Sequence, residues 1–239
     1  MKLFLDDGGE GSPLVLLHGL GADSTVWSAQ LEHLRKTRRV LAPDLRGHGR
    51  SPHADSYSVQ DCVDDLLETL PALAEPFWLA GHSFSGAVVS RFAGQHPRRL
   101  AGVVFVDAVG DVSNPPPEMV EYFRKQHENL DAAKLAQLVD EMLGPNAKPQ
   151  TRTRLLAMVA KMDVKAFAAL RESMVDNPAR ELLARFVGPK FAIEADEPQS
   201  GRSASSLPDV RRLTIPNVSH WLMMDDPAAT NRAFDRVLA

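Results

Sequence analysis

The residues most able to do chemistry in this 239-residue sequence sit where apolar runs end. The run Phe77–Ala80 leads into Gly-His-Ser-Phe-Ser-Gly, with Ser83 two residues beyond Gly81. In a strand–turn–helix elbow a serine is held in a strained backbone conformation that lifts its hydroxyl clear of the sheet. The residues two before and two after the serine approach each other there, so both must be small. Gly81 meets that demand. Ser85 stands where a second glycine would be usual and adds only a hydroxymethyl group, its hydroxyl free to face a pocket. As a nucleophile Ser85 would lie inside the first turn of the following helix, so Ser83 is the better placed of the two.

Serine attacks poorly until a base takes its proton, and a neutral imidazole suits that task near pH 7. Of the eight histidines, His18 and His82 flank glycine turns and are read as shaping a site. His33, His96 and His127 fall on helices or their ends and are read as solvated, while His48 and His53 share a loop without a third ligand at metal spacing. His220, in IPNVSHWLMMDDP, follows the last apolar run and comes after both the serine and the candidate carboxylates, which makes it the base. An acid is needed to fix its tautomer. Asp107 closes the run VVFVD, while Asp196 and Glu197 lie in FAIEADEPQSG, and the order serine, acid, histidine is met by all three. Asp107 is preferred, with Asp196 and Glu197 left open. The stretch His18-Gly19-Leu20-Gly21 follows another apolar run, and its glycines free backbone amides to face a developing oxyanion. His18 and Gly19, with Trp221 and Met223, are taken as the pocket lining; Phe84 and Met224 stand beside them.

Positioning these groups requires strands that all end on one side. Apolar β-prone runs occur at Leu14–His18, Arg39–Pro43, Phe77–Ala80, Gly102–Val106, Lys190–Ile193 and Val210–Ile215, with helical period between the first five. Continuous apolar strands alternating with helices predict an α/β fold, a mostly parallel, doubly wound sheet covered on both faces. Residues 2–5 are a candidate edge strand ahead of a DDGGEG turn. Ser58 and Asp61 form a capping-box pattern opening a helix over Val59–Leu70, and Asp226 with Pro227 opens the last helix. From Val112 to Gly188 no strand signal occurs. Four or five short helices are expected there, with Asp131, Asp163 and Asn177 as N-caps. This gives a core of residues 1–111 and 189–239 and an inserted helical cap over 112–188. The cap's Met119, Met142, Met158, Met162 and Met174 are suited to filling gaps or lining an adaptable pocket.

A net charge of −4 with interspersed signs offers no basic face for nucleic acid or anionic lipid. Cys62 is the single cysteine and falls in the apolar stripe of a helix, so neither an internal disulfide nor a cysteine metal site is expected. MKLFLDDGGE turns acidic before a signal-peptide core develops, and no apolar stretch approaches bilayer length, which points to a cytoplasmic protein.

With HGLG, DLRGHGRS, GHSFSG and SHWLMMDDP in this order along its whole length, the chain resembles the α/β-hydrolase superfamily, in the branch of small esterases, haloperoxidases and carbon–carbon bond hydrolases. The resemblance implies Ser83 as nucleophile, His220 as base, and oxyanion donors in the backbone of Leu20 and Phe84; DLRGHGRS would be a structural loop near the pocket mouth. Members usually carry the acid in the turn after Lys190–Ile193, where spacing falls on Pro198 rather than on a carboxylate; some branches take it from the strand end that Asp107 occupies. The expected activity is hydrolysis of small apolar or aromatic carboxylic esters through an acyl-enzyme, without metal or organic cofactor, by a monomer or small homo-oligomer. Cofactor-free perhydrolysis or carbon–carbon hydrolysis on the same scaffold, and a slowly turning-over ligand receptor, are the alternatives.

Overall fold

The computed structural model describes residues 1–70, 73, 76–196 and 203–239. Seven strands, β1 (Leu5–Gly8), β2 (Pro13–Leu17), β3 (Arg39–Pro43), β4 (Phe77–His82), β5 (Leu100–Val106), β6 (Lys190–Ala195) and β7 (Arg211–Ile215), form one sheet in the order β1-β3-β2-β4-β5-β6-β7. Only β1 runs antiparallel, against β3. β2 is buried at every residue, and β4 and β5 nearly so. Such strands do not alternate, because helices cover both of their faces.

The helices are α1 (Ser28–Leu34), α2 (Val59–Thr69), α3 (Ser85–Gln95), α4 (Pro117–His127), α5 (Ala132–Leu143), α6 (Pro149–Val159), α7 (Val164–Ser173), α8 (Ala179–Leu183), α9 (Leu222–Asp225) and α10 (Pro227–Leu238). One apolar core joins the sheet to α2 and α3 through Phe77, Phe92 and Phe105; Phe77 and Phe92 meet edge-on at 5.8 Å. The other joins the opposite face to α1 and α10 through Trp27, Val104 and Phe234. The chain leaves β2 for β3 on one side, then crosses to β4 on the other. The order therefore reverses between β2 and β4, and a crevice opens beyond their carboxyl ends. The register Leu17↔Gly81, Gly81↔Phe105 and Val106↔Ile193 brings the ends of β2, β4, β5 and β6 level around it.

Local chemistry explains the termini. The Ser58 side chain caps α2 at the Asp61 amide (3.0 Å), and Asp226 caps α10 at Ala229 (2.8 Å) behind Pro227. Asp131 and Asp163 likewise cap α5 and α7.

Three expectations change. The edge strand is Leu5–Gly8, so DDG is strand rather than turn. Asp6 pairs with Arg35 at 2.7 Å and Asp7 with Arg39, and the turn begins at Gly9 (φ 78°), where a β-carbon would lie 2.2 Å from the Arg38 carbonyl. Asn177 is not an N-cap: buried, it accepts from Arg91 Nε (2.9 Å) and donates to Ser90 Oγ (3.0 Å). Pro178 occupies the cap position of α8 instead. Finally, α8 packs on α3, so close that a β-carbon at Gly94 would meet Leu182 at 2.8–2.9 Å. The boundary drawn at residue 188 thus takes in a helix of the sheet layer. Among the described residues 107–189 there is no strand, and no described helix is long and apolar enough to cross a membrane.

Candidate active site

Ser83 follows β4 in the left-handed region (φ 54°), its amide bound to the Val106 carbonyl at 3.2 Å. The small residues around it are required by contact. A β-carbon on Gly81 would lie 2.6 Å from the Ser85 carbonyl oxygen, and one on Gly86 2.7 Å from that of Val109. The Ser85 hydroxyl does not face the pocket as expected. It is fully buried and donates to the His18 carbonyl at 2.5 Å, tying the start of α3 to the loop after β2.

Asp107 follows β5, also at positive φ (41°), with its amide bound to Ile193. Its Oδ1 accepts from the Ala195 amide at 3.1 Å, and its Oδ2 lies 2.6 Å from His220 Nδ1. His220 Nε2 is 2.8 Å from Ser83 Oγ. The structure thus brings Ser83, His220 and Asp107 into one hydrogen-bonded chain, with the latter two buried. Asp196 is exposed and makes no bond to His220; Glu197 lies outside the described residues. The buried carboxylate of β6 is Glu194, engaged by Ser203, Ser205 and Arg212.

The His220 loop is braced from both sides. His82 Nε2 donates to the His220 carbonyl at 2.8 Å, with the two rings 4.7 Å apart. Asp225 accepts from the Ser219 amide (2.8 Å) and from the Lys148 amide at the start of α6 (3.0 Å). Burial pushes the His82 pKa well below its ordinary value, so His82 is a neutral strut.

Leu20 and Phe84 both border the cavity beside Ser83, and among the described residues neither backbone amide has a hydrogen-bond acceptor. Two buried imidazoles hold the Leu20 loop. His18 donates from Nδ1 to the Gly19 carbonyl (2.8 Å) and accepts from the Leu45 amide (2.9 Å). His48 accepts from the Gly21 amide (3.3 Å) and donates to the Arg46 carbonyl (2.9 Å). Burial lowers both, His48 to about 3, so they remain neutral and keep these donor and acceptor roles. The DLRGHGRS loop is itself pinned: Asp44 accepts from the Ser24 (2.7 Å) and Arg50 (2.8 Å) amides, and buried Arg46 is bidentate to Asp65.

A cavity of about 360 Å³ opens over Ser83, at the lower end of small-molecule sites. Leu20, Phe84 and Trp221 line it from the sheet side; Met119, Phe123, Met142, Phe167 and Met174 line it from α4, α5, α7 and the turn that follows α7. Of the expected lining, Trp221 is present, but His18, Gly19 and Met223 are not. His18 and Met223 are fully buried in the layers beneath, and a β-carbon on Gly19 would meet His82 Nδ1 at 2.8 Å and Ser83 Cβ at 2.9 Å. Gly19 therefore provides room for the serine rather than for a ligand. Met158 and Met162 face a different cleft, beside Gly21 and His48. His127, expected in solvent, has a side chain only 6% exposed and pairs with Glu172 at 2.8 Å. The sequence reading did not single out Phe123, Phe167 or Arg171. The signal was there along α7 and the turn that follows it, where Phe167, Leu170, Arg171 and Met174 fall at helical spacing with a cation inside an apolar stripe. No cluster of metal-ligating side chains is found among the described residues.

Residues 14–233 match the model of the Alpha/beta hydrolase family. A dihydrolipoyllysine-residue acetyltransferase component of an acetoin cleaving system from Pseudomonas putida is 29% identical over 94% of the chain and 63% of its own length. The 2-hydroxy-6-oxo-2,4-heptadienoate hydrolase of a P. putida strain is 39% identical over 44% of the chain and 41% of its own length. The chain thus spans less than two thirds of these curated relatives. Among solved structures, a thermophilic esterase from Thermogutta terrifontis superposes with a TM-score of 0.87 at 26% identity, covering 99% of this chain and 92% of that one.

Proposed function

The chain belongs to the alpha/beta hydrolase family, and from that premise we propose that it hydrolyses carboxylic esters of small apolar or aromatic compounds through an acyl-enzyme at Ser83. The observation that carries this reading is the relay in which His220 bonds Ser83 at 2.8 Å and Asp107 at 2.6 Å. Ser83 Oγ attacks the ester carbonyl while His220 Nε2 takes its proton, and Asp107 stabilises the imidazolium that forms. The unpaired amides of Leu20 and Phe84 receive the oxyanion. Collapse of the tetrahedral intermediate expels the alcohol, which leaves with the proton from His220; water, activated by the same imidazole, then releases the acid. The apolar cavity wall favours short or aromatic groups, and similarity to an esterase supports the ester as the scissile group.

Carbon–carbon bond hydrolysis is a second reading, supported by the 39% identity to the heptadienoate hydrolase. Stopped-flow hydrolysis of p-nitrophenyl butyrate tests the first. A burst of nitrophenol equal to the enzyme concentration, absent in Ser83→Ala, is expected. Failure of the wild-type protein to turn over this or any short ester, with cleavage of a vinylogous diketone instead, would transfer the reading to carbon–carbon hydrolysis.

A further inference from the structure

The cavity above Ser83 contains one group that ester hydrolysis of an apolar substrate leaves unused. Arg171 lines it from α7, among side chains that are otherwise almost wholly apolar on the helical side. Its guanidinium lies over the Phe123 ring at 4.5 Å, and one terminal nitrogen is 3.5 Å from His127 Nε2. Among the described residues no carboxylate pairs with it. Glu172, the next residue, is turned outward and is engaged by His127 Nδ1 at 2.8 Å, so the imidazole stands between the two charges. Burial lowers the pKa of Arg171 from its ordinary value, yet arginine remains charged at any pH the protein meets.

A guanidinium carries five donors in a planar fork. One ring face and one long contact to an imidazole leave most of them without a protein acceptor among the described residues. Arg171 is only partly exposed, and holding a cation even partly out of water carries a cost that no carboxylate among the described residues offsets. The same fork matches a carboxylate bidentately, and a charge-assisted pair of that kind is stronger in an apolar enclosure than in water. A neutral ligand recovers none of this.

Given Ser83 as the nucleophile, we propose that Arg171 anchors a carboxylate carried by the substrate, so that the preferred esters are half-esters of dicarboxylic acids or esters otherwise ending in a carboxylate. Ser83 then acts at one end of a short apolar spacer and Arg171 holds the other. Phe123 and His127 hold the guanidinium at the cavity wall, and the methionines there adapt to the spacer. The site thus selects by charge at one end and by length in between.

The test compares kcat/KM, by proton release, for monomethyl succinate, glutarate, adipate and suberate with that for the methyl esters of the monocarboxylic acids of equal length. At least one half-ester should exceed its neutral counterpart by about 10- to 100-fold, the range expected for a hydrogen-bonded charge pair. In Arg171→Met that ratio should collapse to about one through a rise in KM, and Arg171→Lys, which keeps the charge without the fork, should retain part of it. Wild-type ratios at or below one for every length, or a ratio unchanged in Arg171→Met, would overturn the proposal while leaving the esterase reading intact. Hydrolysis of neither series would overturn the reading of Ser83 and this proposal with it. Should Arg171→Met not fold, the wild-type ratios and the lysine variant still decide.

Discussion

Asp107→Asn isolates the acid of the relay with almost no change in shape, and the surrounding hydrogen bonds dictate how the amide must sit. The Ala195 amide points at Oδ1 from 3.1 Å and needs an acceptor there. The new side chain therefore presents its oxygen to Ala195 and its NH₂ to His220 Nδ1, which must then accept. That moves the ring proton to Nε2, where it faces Ser83 Oγ and blocks proton transfer. Turning the amide over would set two donors against each other at Ala195, at a cost of roughly 1–3 kcal/mol, or about 5- to 150-fold in the competent tautomer. The competent form also lacks a negative charge 2.6 Å from the imidazolium. Losing such a charge-assisted bond costs roughly 1.5–3 kcal/mol, a further factor of about 10 to 150. Together these predict a fall in turnover of roughly 10²- to 10⁴-fold, at the upper end comparable to the loss in other triads deprived of their carboxylate. The assay is kcat for p-nitrophenyl butyrate beside a thermal melt. Asp196→Asn and Glu197→Gln serve as comparisons, and both should stay near wild type. An Asp107→Asn protein that folds and keeps turnover within about fivefold would refute the reasoning, as would full activity there beside a dead Asp196→Asn or Glu197→Gln.

Three further outcomes follow. Ser85→Ala leaves the buried His18 carbonyl without the donor that now stands 2.5 Å away; it should cost about 1–3 kcal/mol in urea denaturation and, by loosening the Leu20 loop, should reduce kcat more than it changes KM. Unchanged stability would contradict the bond. Burial lowers the pKa of His18, His48 and His82, that of His48 to about 3. Below about pH 6.5 the unfolded chain therefore binds protons the folded chain refuses. Stability, full above that pH, should fall as pH drops toward 4, by up to about 1.4 kcal/mol per pH unit for each histidine; urea midpoints that stay flat from pH 7 to pH 4.5 would refute this. Cys62 is buried and its pKa is pushed up by that burial, so an aromatic disulfide reagent should titrate no fast thiol in the native protein and one after unfolding.

The elements that carry the site were legible because each is written in short-range chemistry. Arg39–Pro43 reads as a buried strand from its apolar run alone, and Ser58 and Asp226 announce the helices they cap. The serine elbow was readable because Gly81 and Gly86 meet backbone that excludes any side chain. The edge strand was misplaced because its acidic residues are held by Arg35 and Arg39, partners about 30 positions away that no local pattern reveals. The same holds for Asn177, whose polar side chain reads as a cap but is used by Arg91 and Ser90. In the site, proximity along the chain misled: His18, Gly19 and Met223 adjoin lining or relay residues in sequence yet point into the layers below. The acid stayed open between Asp107 and the later turn because chain order permits both, and only the position of His220 relative to β5 distinguishes them. Arg171 was hidden by its type, since a charged residue on a short helix is ordinarily solvated.

The role of Ser83 as nucleophile of an acyl-transfer site is tested most directly by reacting the protein with a serine-directed alkyl phosphonate and mapping the adduct by mass spectrometry. One adduct per chain is expected, on Ser83, with loss of p-nitrophenyl butyrate hydrolysis in proportion to labelling and neither labelling nor hydrolysis in a folded Ser83→Ala protein. An adduct on Ser85 or elsewhere, or ester hydrolysis surviving in Ser83→Ala, would contradict it.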